Sequence, residues 1–217
     1  NSLLQPVSFD VLFWLLSMFL ILRMLHTKDT RLWYPIFITW GVGFLNKYLI
    51  AILIIATLGA LLLSRDRKLL FTRSFLIGGL VSLLMILPNL LWQYNHNFPV
   101  LHHLRELNDT QLVNVRPADF LVDQLVFNMP FILPLLFGLA AMLFFRPLSH
   151  LKPLASTYFI ILAILLVTHG KNYYTIGYYP VLFGVCASIA ERYFSYGWKF
   201  LRYIVLPLVF LLNLPFI

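Results

Sequence analysis

The sequence predicts an all-α fold, a polytopic transmembrane helical bundle, and three observations lead there. Hydrophobic residues make up 61% of the 217-residue chain and charged residues 11%, against roughly 45–50% and about 25% in soluble domains. Long apolar runs recur, each close to the roughly 20 residues that a membrane-crossing helix needs, and the mean hydropathy is +0.86. Basic residues collect in the short loops between those runs, as they do on the cytoplasmic side of membrane proteins.

Taken in order, the runs predict helices near 9–25, 74–94, 120–145, 153–169, 173–190 and 199–217. Between the first two lies an apolar stretch, 32–64, interrupted by GFLNKY. It suits one tilted helix or two short helices turning near Asn46 and Lys47. With the hairpin the whole chain is a partial transmembrane domain of about eight membrane segments. The sizeable hydrophilic insertion is 95–119, where FPVLHHLREL sets Leu101, Leu104 and Leu107 at near-helical spacing. That pattern predicts a short helix lying at the membrane interface.

Loop charge sets the sidedness. Arg23, Lys28 and Arg31 precede the 32–64 stretch, and Arg65, Arg67, Lys68 and Arg73 follow it. Arg146 and Lys152, then Arg192, Lys199 and Arg202, mark two later loops. Placing all four loops in the cytoplasm puts twelve of the sixteen Lys and Arg inside and requires an even number of crossings between 32 and 64, which favours the hairpin. Lys47, Arg105, Arg116 and Lys171 then lie outside. The net charge of +8 is accounted for by these loops, so no nucleic-acid partner is expected. Cys186 is the lone cysteine, which excludes an internal disulfide. The chain opens at Asn1 without methionine or signal peptide and stops inside an apolar run, so spans upstream of Asn1 are expected.

With this topology the unusual polar residues gather at the outer end. Asp10 begins the first span, and Asn46 and Lys47 sit at the hairpin turn. Asn89, Gln93 and His96 fall on one helical face, and Gln124 and Asn128 repeat the pattern beside Asp123. Lys171 follows, with Tyr173, Tyr174, Tyr178 and Tyr179. Groups of this kind are costly at membrane depth and usually face a cavity or the bundle interior. Bland readings stand beside the functional one: snorkelling for Lys171, an aromatic belt for the tyrosines, helix–helix hydrogen bonding for the 89–96 stripe. His102 and His103 are adjacent and diverge on a helix, so they do not form a two-His metal face. Two cations with tyrosines and amides suit an anionic, amphiphilic, partly sugar-like ligand, such as a lipid-linked phosphosugar or another anionic lipid.

Four stretches, in order, resemble polyprenyl-phosphate-dependent glycosyltransferases of the GT-C type. That group includes the dolichyl-phosphate-mannose protein mannosyltransferase-like family and the aminoarabinose transferases. GKNYYTIGYYPVLFGV resembles a late GK-x-YY…YP signature, and WGVGFLNKY is similar to a Gly-rich segment ending in Thr/Asn-Lys, here Asn46, Lys47 and Tyr48. LPNLLWQYNHNFP resembles the element before the large outer loop through Pro88, Trp92, Gln93, His96 and Pro99. QPVSFD is like a short Pro-Asp stretch, with Asp10 as its acid. Three departures stand out: Asn172 replaces a frequent proline, Pro6 and Asp10 are separated by three residues, and no acidic motif of a first outer loop is present. The resemblance locates that motif upstream of Asn1.

What the resemblance implies is transfer of a sugar from a polyprenyl phosphate to a lipid, glycan or protein acceptor at the outer face of a membrane, with a bacterial inner membrane the expected location. Lys47 and Lys171 are then expected to hold the donor phosphate, and Asp10 to orient sugar or acceptor as the catalytic carboxylate. Asn46, Tyr48, Trp92, Gln93, His96, Tyr173, Tyr174 and Tyr179 are the expected substrate-binding set. No cofactor is assigned, and a divalent metal is left open. The alternative from another class is a lipid or anion transporter, which would predict two matching halves with interrupted helices; no such halves are visible.

Overall fold

The computed structural model describes residues 7–110, 112, 115–196, 203 and 207, and among them every regular element is helical. Helix α1 (Val7–Thr27) buries Asp10, Trp14, Ser17, Met18, Ile21, Met24 and Leu25, at steps of three and four. Its other face carries Phe9, Leu12, Leu16 and Phe19, all exposed, so the helix is apolar on both faces, as a span is. It stops at Lys28, whose φ is 56° and whose N–H returns to the Met24 carbonyl at 2.8 Å. Asp29 then accepts the Arg31 N–H at 2.9 Å and starts a 3₁₀ turn.

Helices α2 (Trp33–Asn46) and α3 (Ile50–Leu62) are separated by a break at 47–49. Helix α4 (Arg73–Asn95) is N-capped by Thr72, which accepts the Phe75 N–H at 3.3 Å. It runs alongside α2 in the same direction. Trp33 and Phe37 meet Phe75, with ring centroids 4.9 and 5.2 Å apart; Gly41 faces Ser82 and Met85; Tyr48 reaches Asn89. The Trp33 indole N–H donates to the Leu69 carbonyl at 2.8 Å, tying the start of α2 to the turn before α4. Helix α3 returns beside α1, where Thr57 meets Met18. At the end opposite Lys47, Lys28 and Asp66 pair at 2.7 Å.

Helix α5 (Pro99–Thr110) is amphipathic and buries no residue within the described structure. Helices α6 (Pro117–Phe127) and α7 (Ile132–Phe144) follow, then α8 (Lys152–Val167) and α9 (Tyr179–Tyr196). Helix α8 lies against α3, and α9 against α7, where the Cys186 side chain fills the space over Gly138. Three described helical segments are long and apolar enough to cross a membrane: Val7–Thr27, Arg73–Asn95 and Arg146–Val167. A fourth crossing results if α6 and α7 form one broken span.

Two elements differ from the sequence expectation. The run at 120–145 is not one helix: α6 and α7 meet at 105° across 128–131. Pro130 lies in that break, and proline both lacks an N–H and restricts the residue before it. The helix expected from 173 starts instead at Tyr179, after a 3₁₀ turn over Asn172–Thr175. The run at 199–217 lies outside the described residues, apart from positions 203 and 207.

Candidate functional site

Lys47 stands where α2 stops. Its backbone is extended (φ −159°, ψ 124°), while its N–H still reaches the Gly43 carbonyl at 2.9 Å. The side chain therefore leaves the helix axis. Asn46 closes α2 on one side of it, and Tyr48 begins the turn toward α3 on the other. Close packing beneath this turn needs the bare Gly43, because a Cβ there would run into Ile50 and lie 3.3 Å from Phe13.

Across the turn, Lys47 Nζ lies 3.5 Å from Asp10 Oδ2. The Asp10 side chain is 8% exposed and that of Lys47 is 23% exposed, so this pair is shielded more than a surface pair and its loss matters more. Asp10 sits in the first turn of α1, where the helix dipole favours a carboxylate. Its Oδ1 is buried and makes no hydrogen bond of ordinary geometry among the described residues.

Two tyrosines complete the surround. Lys47 Nζ is 5.5 Å from the Tyr174 ring centre and 5.9 Å from that of Tyr173. Lys171 Nζ is 6.0 Å from the same Tyr173 ring. Both ammonium groups are thus within cation–π range of one aromatic ring, and the Tyr173 and Tyr174 rings meet edge-on at 5.0 Å. Burial pushes the Tyr174 phenol up to about 12, with the neighbouring Tyr173 adding to the effect, so it stays a neutral donor.

The 3₁₀ turn that carries these rings is held from below by Gln124 of α6. Its amide donates to the Asn172 carbonyl at 3.0 Å. Its carbonyl oxygen accepts the Thr175 hydroxyl at 2.6 Å and also the Tyr179 hydroxyl. Asn172 adds a second tie, donating to Asp123 Oδ2 at 2.8 Å and accepting the Tyr173 N–H at 2.9 Å. From the other side Gly177 rests on Trp14 of α1, so closely that a Cβ would come 2.8 Å from the indole. Tyr173 and Tyr174 are thereby fixed against the end of α1 that holds Asp10.

The remaining sequence-predicted residues are placed elsewhere. Tyr179 is buried in the Gln124 cluster rather than beside the lysines. The Tyr48 hydroxyl donates to Asn89 and accepts from the Gln93 amide, both at 2.9 Å. Gln93 is buried, and its carbonyl oxygen accepts the Val100 N–H at 3.3 Å. His96 caps the end of α4 outside the helix, exposed and stacked on the half-exposed Trp92 at 4.4 Å. The stripe of Asn89, Gln93 and His96 therefore splits: two residues hold Tyr48, and the third leaves with the helix end. Thr175 and Trp14 were not singled out from the sequence. Thr175 is the one hydroxyl between the tyrosine pairs in NYYTIGYY, which was the available signal. Among the described residues no three His, Cys, Asp or Glu side chains converge as a metal site.

Residues 2–92 match the profile of the family described as dolichyl-phosphate-mannose-protein mannosyltransferase. This segment is similar to that family. No curated protein and no solved structure matches the chain. The matched segment contains Asp10, Asn46, Lys47, Tyr48 and Trp92. Lys171, Tyr173 and Tyr174 lie beyond it and join it through the ring contacts with Lys47. The family consists of membrane glycosyltransferases of the GT-C type, and the apolar helices fit an integral membrane protein.

Proposed function

We propose that this chain forms the donor-phosphate end of a membrane glycosyltransferase, which moves a sugar from a polyprenyl phosphate to an acceptor hydroxyl at the outer, periplasmic or lumenal, face. The observation that carries the reading is the sharing of the Tyr173 ring by Lys47 and Lys171. When the glycosidic bond to phosphate breaks, negative charge grows on the departing phosphate oxygens. Two fixed ammonium groups stabilise that charge more than the charge of the bound donor, which is what lowers a barrier. Tyr173 gives an apolar face with a polar tip, suited to a sugar or to the first isoprene unit.

In this reading Asp10 has two tasks. Oδ2 holds Lys47 in place before the donor arrives, and Oδ1 accepts a hydroxyl of the sugar or acceptor. Carboxylates orient or deprotonate hydroxyl nucleophiles in such transfers. The basic loops at the Asp66 end then lie in the cytoplasm, α2 and α3 form the membrane hairpin, and a bacterial inner membrane is the natural setting. The acceptor belongs to the lipids, glycans or proteins at that outer face.

The test is turnover of a polyprenyl-phosphate sugar by the protein in a bilayer, followed as released polyprenyl phosphate. Lys47→Ala and Lys171→Ala should each depress release while the variants still elute as folded protein. Unimpaired release by both would end the assignment. Sidedness is read separately, by membrane-impermeant labelling of single cysteines at 171 and 67; a label reaching 67 but not 171 from outside would invert the topology.

A further inference from the structure

At the opposite end of α3 and α8 from the lysine pair, a cavity of about 660 Å³ opens between the loop after α3, the 3₁₀ turn before α8, and the first turn of α8. Its lining includes Arg65, Arg146 and Lys152 together with the hydroxyls of Ser149 and Ser156. One carboxylate, Asp66, is also present, and it is held by Lys28 at 2.7 Å. The ion pairs among the described residues are Lys28–Asp66 and Lys47–Asp10, so neither arginine nor Lys152 is matched by an acid there. Helix α8, which starts at the cavity, has no side-chain cap on its amino end, leaving the positive end of its dipole unopposed.

We propose that this cavity is a binding site for a phosphate group with at least three free oxygens. Sidedness explains why basic residues gather at this end of the bundle. It does not explain why residues some eighty positions apart converge on one concave space with hydroxyls between them. Arginine forks match phosphate oxygens in pairs, lysine supplies a point charge, and serines supply further donors. Basic pockets between membrane helices on the cytoplasmic side suit phosphate headgroups. A phosphatidic acid headgroup and free inorganic phosphate share this chemistry.

The experiment uses the full chain in nanodiscs of phosphatidylcholine, with and without phosphatidic acid, and in phosphatidylcholine alone with inorganic phosphate or chloride at equal ionic strength. Hydrogen–deuterium exchange is read over 63–68 and 146–156. Protection of both segments by phosphatidic acid alone identifies a lipid headgroup; protection by inorganic phosphate over chloride identifies a free ligand. Arg65→Gln and Arg146→Gln should each weaken apparent affinity about tenfold, the effect of losing one charge-assisted hydrogen bond to the phosphate. The Arg67→Gln, Lys68→Gln double variant removes charge from residues outside the lining and should leave affinity unchanged. Absence of protection by either probe in the unaltered chain, or equal weakening in the double variant, overturns the proposal. The phosphate-against-chloride comparison needs no variant and does not depend on one folding.

Discussion

Lys47 and Asp10 meet at 3.5 Å, the lysine in the break between α2 and α3 and the carboxylate in the first turn of α1. Removing the ammonium leaves a shielded carboxylate without its cation. Lys47→Ala should therefore lower both the thermal midpoint and the transfer rate. Loss of one group that stabilises developing negative charge costs about 10²–10³ in turnover. Pairing it with Asp10→Asn should restore stability without restoring the rate, as a double-mutant cycle of melting and turnover would record.

Lys171 shares the Tyr173 ring with Lys47 but belongs to the rim. Lys171→Ala should lower kcat for the lipid-linked donor by up to about fivefold, the scale of a partly solvated charge contact. A steady-state series in donor concentration reads the split; a rise in KM alone, with kcat unmoved, would confine this lysine to donor binding.

Gln124 binds three partners beneath the 3₁₀ turn: the Asn172 carbonyl and the hydroxyls of Thr175 and Tyr179. Gln124→Leu should destabilise the chain by about 1–3 kcal/mol for each buried group left unmatched. Tyr179→Phe removes one hydroxyl and should cost about 1 kcal/mol. Denaturation of the two variants side by side checks the order.

Gly177 lies against Trp14 with no room for a side chain. Gly177→Val should displace the turn bearing Tyr173 and Tyr174, at about 1–3 kcal/mol of overpacking. Turnover should fall although both lysines are intact, and a change in Trp14 fluorescence should accompany the loss.

Tyr174 titrates late, with its phenol pushed up to about 12 from an ordinary value of 10. Below the ordinary value it is neutral whether the chain is folded or not. Above it the unfolded chain loses the proton first, so stability declines as pH rises through that window. Tyr174→Phe should flatten the alkaline limb of a melting-temperature profile relative to the unaltered protein.

The helical class and the helix near 74–94 were readable because apolar length and loop charge are one-dimensional signals. So were the two breaks that matter most for the site, since Lys47 interrupts an apolar run and Gly170–Lys171 separates two. Harder to read was which polar residues serve the architecture. Gln93 and Tyr179 looked like ligands for a substrate, but each is occupied by a neighbour from a different helix. Sequence spacing shows which residues share a face and says nothing of what stands opposite. The bend at 128–131 was missed for a related reason, since Pro130 lies within an apolar run whose composition alone satisfies a span.

Gln93 also ties the exterior to the interior. Its side-chain amide holds the Tyr48 hydroxyl, its side-chain oxygen takes the Val100 N–H, and its backbone carbonyl takes the Phe98 N–H at 2.6 Å. Helix α5 is therefore leashed at its first turn to the residue that follows Lys47. A displacement of α5 would pull on that glutamine, and the strain would arrive one position away from the ammonium group. A binding event on the far side of the loop would thus have a short mechanical route to the charge at the centre.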